Sequence, residues 1–115
     1  MARSIKLDFG SFKLVARLFD TPLAGEFLKA LPRTAELTRW GRELYGPFGA
    51  ELFDEKPVSS IPPGGIAYSK RGSYVCLFFG QTPAWPVNHI GTIEGDSWKR
   101  LEECGDSATV TISAS

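Results

Sequence analysis

The chain carries little for metal or thiol chemistry: a single histidine, His89, and two cysteines, Cys76 and Cys104. A zinc site would need both cysteines beside His89, and the 28 residues that separate them match no common ligand spacing, so no metal site is expected. A Cys76–His89 nucleophile pair can be drawn on neighbouring strands. Cys76, however, stands between Val75 and Leu77 in the most apolar part of the chain, where burial would suppress the thiolate. A packing cysteine is the simpler reading. Two cysteines also fall short of the dense frameworks by which small secreted domains replace a core, so reduced, structural thiols are expected.

Other absences narrow the function further. Thirteen basic side chains balance thirteen acidic ones, leaving no global field to draw the chain to nucleic acid or to an anionic membrane. No apolar run approaches the roughly 20 residues that span a bilayer, and the opening MARSIKLDFGSF has no apolar segment after its basic residue. A cytoplasmic protein without a membrane or nucleic-acid partner is expected. Neither GxxxxGK[ST] nor a strand-bound GxGxxG occurs, so the glycines read as turn residues and no cofactor is indicated. With no repeat, low-complexity tract or linker, residues 1–115 read as one domain.

What is present is a succession of short elements. Ile5, Leu7 and Phe9 alternate with Lys6 and Asp8, Gly10-Ser11 turns, and Phe12, Leu14, Ala16 and Leu18 alternate again, which predicts a hairpin with one buried face. Asp20-Thr21-Pro22 offers a cap and a first-turn proline for a helix over 22–31, whose Leu23, Phe27, Ala30 and Leu31 form one apolar stripe. Alternation returns over 35–40, and 41–48 reads as a further strand or a bent continuation. Pro57, Pro62 and Pro63 make 51–63 mostly loop, with a short edge strand at 58–61. A second hairpin pairs 65–69 with 73–80 across Lys70-Arg71-Gly72. A loop over 81–87, a strand at 88–93, a short helix at 96–103 capped by Asp96 or Ser97, and a last strand at 108–112 complete the chain. Two helices that do not alternate with many strands predict an all-β class and a barrel, not a βαβ sheet.

The stretch YVCLFFGQTP, residues 74–83, opens with six apolar or aromatic side chains in succession, too many for a strand with one wet face. Burial of both faces is expected for Val75, Cys76 and Leu77. The candidate ligand-binding residues combine aromatic walls with a few polar groups: Trp40, Glu43, Tyr45, Tyr68, Phe78, Phe79, Gln81, Thr82 and His89, with Trp85 and Asn88 nearby in sequence. A pocket has this composition, and so does a core with a polar rim. The basic turn at Lys70-Arg71 beside Tyr68 and Tyr74 could stack on nucleic acid, although a solvated hairpin tip is simpler. Glu36, Glu43, Glu51, Asp54 and Glu55 cannot be paired for acid–base work from spacing alone.

Four blocks, TRWGRELY (38–45), IPPGGIAY (61–68), CLFFGQTP (76–83) and VNHIGTI (87–93), together resemble the small prokaryotic proteins with a cyclophilin-like barrel. The resemblance covers nearly the whole chain, and its most specific block is LFFGQTP preceded at a distance by WGxE. It implies a closed cyclophilin-like β-barrel of about eight strands with two short helices. Cyclophilins proper are peptidyl-prolyl isomerases that carry an FHRxxxxFMxQGG-type motif, which is absent here. Fold alone does not transfer that activity. Three readings follow: a pocket that binds a small molecule or a peptide; a prolyl isomerase using Arg39 or Arg42 with Phe78 or Phe79; and a homo-oligomer joined through 74–79 and Trp85.

Overall fold

The computed structural model describes residues 3–115. Eight strands close into an antiparallel barrel: β1 (Arg3–Asp8), β2 (Lys13–Leu18), β3 (Arg33–Trp40), β4 (Glu43–Pro47), β5 (Gly65–Ser69), β6 (Tyr74–Phe78), β7 (Asn88–Ile93) and β8 (Ser107–Ala114). The order around the wall is β1-β2-β7-β5-β6-β4-β3-β8, with β8 returning to β1. Closure leaves no unpaired sheet edge, which explains how so many short strands coexist without a covering layer of helices.

Alternation sets the faces. Ile5, Leu7, Leu14, Ala16, Leu18, Ala35, Leu37, Leu44, Val110 and Ile112 fill the interior, and the residues between them face outward. Both ends of the barrel are plugged. At one end sits α1 (Pro22–Lys29), where Thr21 Oγ1 accepts from the Ala24 N–H at 3.2 Å and Phe27 stacks on Phe48 with centroids 4.2 Å apart. At the other, a 3₁₀ turn over Ser97–Glu103 brings Leu101 against the core. The lumen is therefore packed with side chains.

Three expectations are corrected in detail. The helix stops at Lys29, two residues short of Leu31. The segment expected as a capped helix from Asp96 is 3₁₀, without a side-chain cap bond from Asp96; Ser97 Oγ instead donates to the Glu94 carbonyl at 2.8 Å. The edge strand expected at 58–61 reduces to a single bridge between Val58 and Val87, because the prolines around it remove ladder donors.

The β6 strand has two dry faces for separate reasons. Val75 and Leu77, with Phe79 just beyond, point into the main core, while Cys76 and Phe78 point outward into a second cluster with Ile61, Ala67 and Val87. That outer cluster is roofed by the chain itself, through Val58, Tyr45, Tyr74 and Trp85. None of residues 75–79 is more than 3% exposed, while Tyr74 and Trp85 are half-buried.

Close backbone approach shapes β4. A Cβ on Gly46 would collide with the carbonyl oxygen of Glu36, so glycine lets β3 and β4 curl tightly together. Gly41, at φ +60°, opens the two-residue turn between the same strands, a conformation that favours glycine over L side chains.

Candidate functional site

The β3–β4 turn sets Trp40 directly opposite Glu43, and both lie on the outer face of the wall. Pairing of β4 with β6 then places Glu43 opposite Phe78, Tyr45 opposite Cys76 and Pro47 opposite Tyr74. Paired residues share a face, so Trp40, Glu43, Tyr45, Tyr74 and Cys76 form one outward patch drawn from three strands. The loop after β6 folds across it. Trp85 Nε1 donates to Ser69 Oγ at 2.9 Å, Ser69 Oγ donates to the Arg71 carbonyl at 2.7 Å, and the Arg71 guanidinium stands 4.3 Å from the Trp85 ring. Trp85 is thereby locked in place by polar and cation–π contacts.

Between this patch and the loop lies a cavity of about 330 Å³, lined by Trp40, Glu43, Tyr45, Tyr74, Cys76, Pro83, Ala84, Trp85 and Val87. That is at the small end of the roughly 300–1,000 Å³ that ligand pockets occupy. Its walls are aromatic and aliphatic, and its one charged lining residue is Glu43, only 7% exposed.

No ion pair among the described residues engages Glu43. Burial pushes its carboxyl up from 4.5 to about 7, against a hydrogen bond from the Cys76 thiol, which pulls it down. The Cys76 thiol is itself driven upward, first by burial and then by the neighbouring Glu43 charge. It stays a neutral thiol, packed in the outer cluster beside Glu43. Iodoacetamide labelling of Cys76 at about pH 8 is accordingly expected to be more than about 100-fold slower in the folded chain than in urea, read by peptide mass spectrometry. Fast labelling of Cys76 in the folded chain would show a reactive cavity thiol instead.

The sequence-derived candidates separate into two groups. Trp40, Glu43 and Tyr45 line the cavity together. Tyr68 does not: it is fully buried in the barrel end, where its hydroxyl donates to the Ala50 carbonyl and accepts from the Leu52 N–H. Phe79 belongs to the main core, beneath the Arg39 guanidinium at 5.1 Å, and Phe78 is fully buried in the outer cluster without lining the cavity. Gln81 covers the β3–β4 turn, its Oε1 accepting from the Arg42 N–H at 3.4 Å, and Thr82 is exposed.

His89 lies elsewhere on the wall, edge-on to Phe19 at 4.8 Å. Burial lowers its proton affinity, opposed by the Gly91 backbone, and its Nε2 is buried without a hydrogen-bond partner in the structure. Asn88 pins the chain after β4 through hydrogen bonds to Asp54, Glu55 and Lys56. Arg39 is held by the carbonyls of Gly41, Glu102 and Cys104 and by the Glu102 carboxylate, and Arg42 pairs with the same carboxylate at 3.5 Å. Neither arginine lines the cavity. Among the described residues no group of three or more His, Cys, Asp or Glu side chains converges as a metal site would require.

Tyr74, Cys76, Pro83, Ala84 and Val87 join the cavity without having stood among the candidates. The phase of β6 was a usable signal for two of them, since assigning Val75 and Leu77 to the interior sends Tyr74 and Cys76 outward. Nothing local announces that Glu43 faces them, because that depends on register between strands about 30 residues apart.

A closed, side-chain-filled antiparallel barrel with a cavity on its outer wall defines the class of protein. Within that class the chain belongs to the cyclophilin-like family, whose model matches residues 3–113. The hypothetical protein AF2241 from Archaeoglobus fulgidus is 25% identical, with a TM-score of 0.83 over 99% of this chain and 95% of that one. McbB, solved in complex with tryptophan, is 15% identical with a TM-score of 0.79, over 95% of this chain and 44% of that one, a likeness of fold. No curated protein matches the chain.

Proposed function

We propose that the chain is a binding module whose ligand, a small molecule or a side chain of a peptide, seats in the wall cavity between Trp40 and Trp85 with Glu43 as its polar anchor. The observation that carries this reading is a buried carboxyl with no cationic partner, set among aromatic walls in an open hollow. Leaving such a group unpaired costs stability, and a ligand is the ordinary reason to keep it. McbB holds tryptophan, so a protein containing this fold does accommodate a small aromatic amino acid. That likeness brings the fold and not the residues.

A fragment library screened by the indole N–H signals of Trp40 and Trp85 tests the reading. Hits that shift both signals together are expected, since the two rings share one cavity. Trp40, 45% exposed on the rim, can be changed without opening the core, and Trp40→Ala should weaken a hit by about tenfold, or ~1.4 kcal/mol. A library silent at millimolar concentration, or hits indifferent to Trp40→Ala and to Glu43→Gln, would sink the reading.

A further inference from the structure

We propose that the ligand of this cavity is a small organic cation, a substituted ammonium whose charge lies against Glu43 and whose alkyl groups lie against the rings of Trp40, Tyr45, Tyr74 and Trp85. The inference rests on the binding function proposed above and names the ligand's chemistry. Three features favour a cation over a neutral or anionic ligand.

The first is charge. Of the nine lining residues only Glu43 is ionisable to a full charge near neutral pH, and no lysine, arginine or histidine lines the cavity. An anion would meet a carboxylate and find no donor of opposite sign. The second is the wall. Four aromatic side chains line the cavity with the carboxyl, and ring faces attract ammonium groups by their quadrupole, most strongly where water is excluded. Trp85 already serves as a cation–π partner in this chain, since Arg71 sits 4.3 Å from its ring without itself lining the cavity.

The third is the state of Glu43. With burial pushing its carboxyl up to about 7, Glu43 holds a proton for part of the time near neutral pH. A bound ammonium replaces that proton as the partner of the carboxylate. The titratable groups that line the cavity with Glu43 are few: Cys76 and Tyr74 from β6, Tyr45 from β4, and none from residues 83–87. Arg42, its sequence neighbour, is turned toward Glu102. A quaternary ammonium keeps its charge at every pH, so a pH profile of its binding reads Glu43.

Tetramethylammonium chloride is the probe, with tert-butanol as an uncharged compound of similar size and potassium chloride as the ionic-strength control. Binding is followed by the indole signals of Trp40 and Trp85. Between about pH 5.5 and about pH 8.5 the ionised fraction of a group titrating near 7 rises about 30-fold, and tetramethylammonium affinity is expected to rise by nearly that factor. Glu43→Gln should cut affinity at the higher pH by at least about tenfold and flatten the profile. Trp40→Leu should weaken binding about fivefold and leave the profile's midpoint in place, which keeps the test open should the glutamine variant fold poorly.

Equal binding of tert-butanol, a flat profile in the unaltered chain, or no tetramethylammonium binding overturns the cation. If neutral or anionic fragments still reach the cavity, the binding function stands and only the cation falls. If nothing binds, both fall together.

Discussion

Replacing Asn88 with alanine is expected to destabilise the chain by about 2–4 kcal/mol and to free the segment after β4. Asn88, 3% exposed at the start of β7, uses every side-chain group it has. Its Nδ2 donates to Asp54 Oδ1 at 3.0 Å and to the Tyr68 carbonyl at 3.1 Å, and its Oδ1 accepts from the Glu55 N–H at 2.8 Å and the Lys56 N–H at 3.1 Å. Three of these hydrogen bonds tie residues 54–56 to the barrel end and the fourth fixes the amide to β5, beside the Tyr68 hydroxyl that holds Ala50 and Leu52. Alanine leaves two amide donors and one buried carbonyl without these partners, at about 1 kcal/mol or more each. Val58, which bridges to Val87 and roofs the outer cluster, lies just beyond the released residues. Urea denaturation should report the lower midpoint at an unchanged slope, and amide exchange should rise first over 51–58. A variant within about 0.5 kcal/mol of the parent would show that the Tyr68 contacts and the Val58 bridge hold the segment without Asn88.

The second large effect is a pH-dependent gain of stability in Glu43→Gln. The folded-state carboxyl titrates at about 7, above its ordinary 4.5. Between those values the folded chain keeps a proton that the unfolded chain has released. The contribution of this group to stability is therefore full below about 4.5, falls as pH rises through about 7, and is level above it. A shift of this size corresponds to roughly 3 kcal/mol for a carboxyl sealed from water, and the open mouth of the cavity reduces it to about 2 kcal/mol. Glutamine has the same shape and no charge to desolvate. The variant should match the parent near pH 4 and exceed it by about 2 kcal/mol near pH 8, or roughly 6–10 °C in Tm. Taking the difference between the two proteins cancels the titration of every other carboxylate. A difference that is constant across pH would mean that Glu43 is ionised and well solvated at neutral pH, and would remove the physical basis for a cavity that awaits a cation.

Alternation along single segments was legible in the sequence and decided much of the fold. Leu14, Ala16 and Leu18 turn inward, as period two requires, and Lys13, Val15 and Arg17 between them face water. Thr21-Pro22 starts the helix for the capping and proline reasons read from the chain. The dry character of 74–79 on both faces was equally legible, since six apolar side chains in a row leave no solvated side. Local rules were weaker at 96–103, where the cap residues and apolar spacing suit an α-helix and the chain takes 3₁₀ turns instead.

The site divides along the same line. Aromatic abundance beside Glu43 pointed to a pocket, yet Tyr68 and Phe79 have the same composition as Tyr45 and Trp40 and face the opposite way. By itself the sequence determined most of the strands, the start of the helix at Pro22 and the buried face of alternating strands such as β2, because those follow from periods of two and three to four within one segment. Only the tertiary structure decided that Glu43, Cys76 and Trp85 share a cavity and that Tyr68 and Phe79 belong to the main core. Those facts depend on the register of β4 against β6 and on the loop held by Ser69 and Arg71, which are contacts between segments distant along the chain.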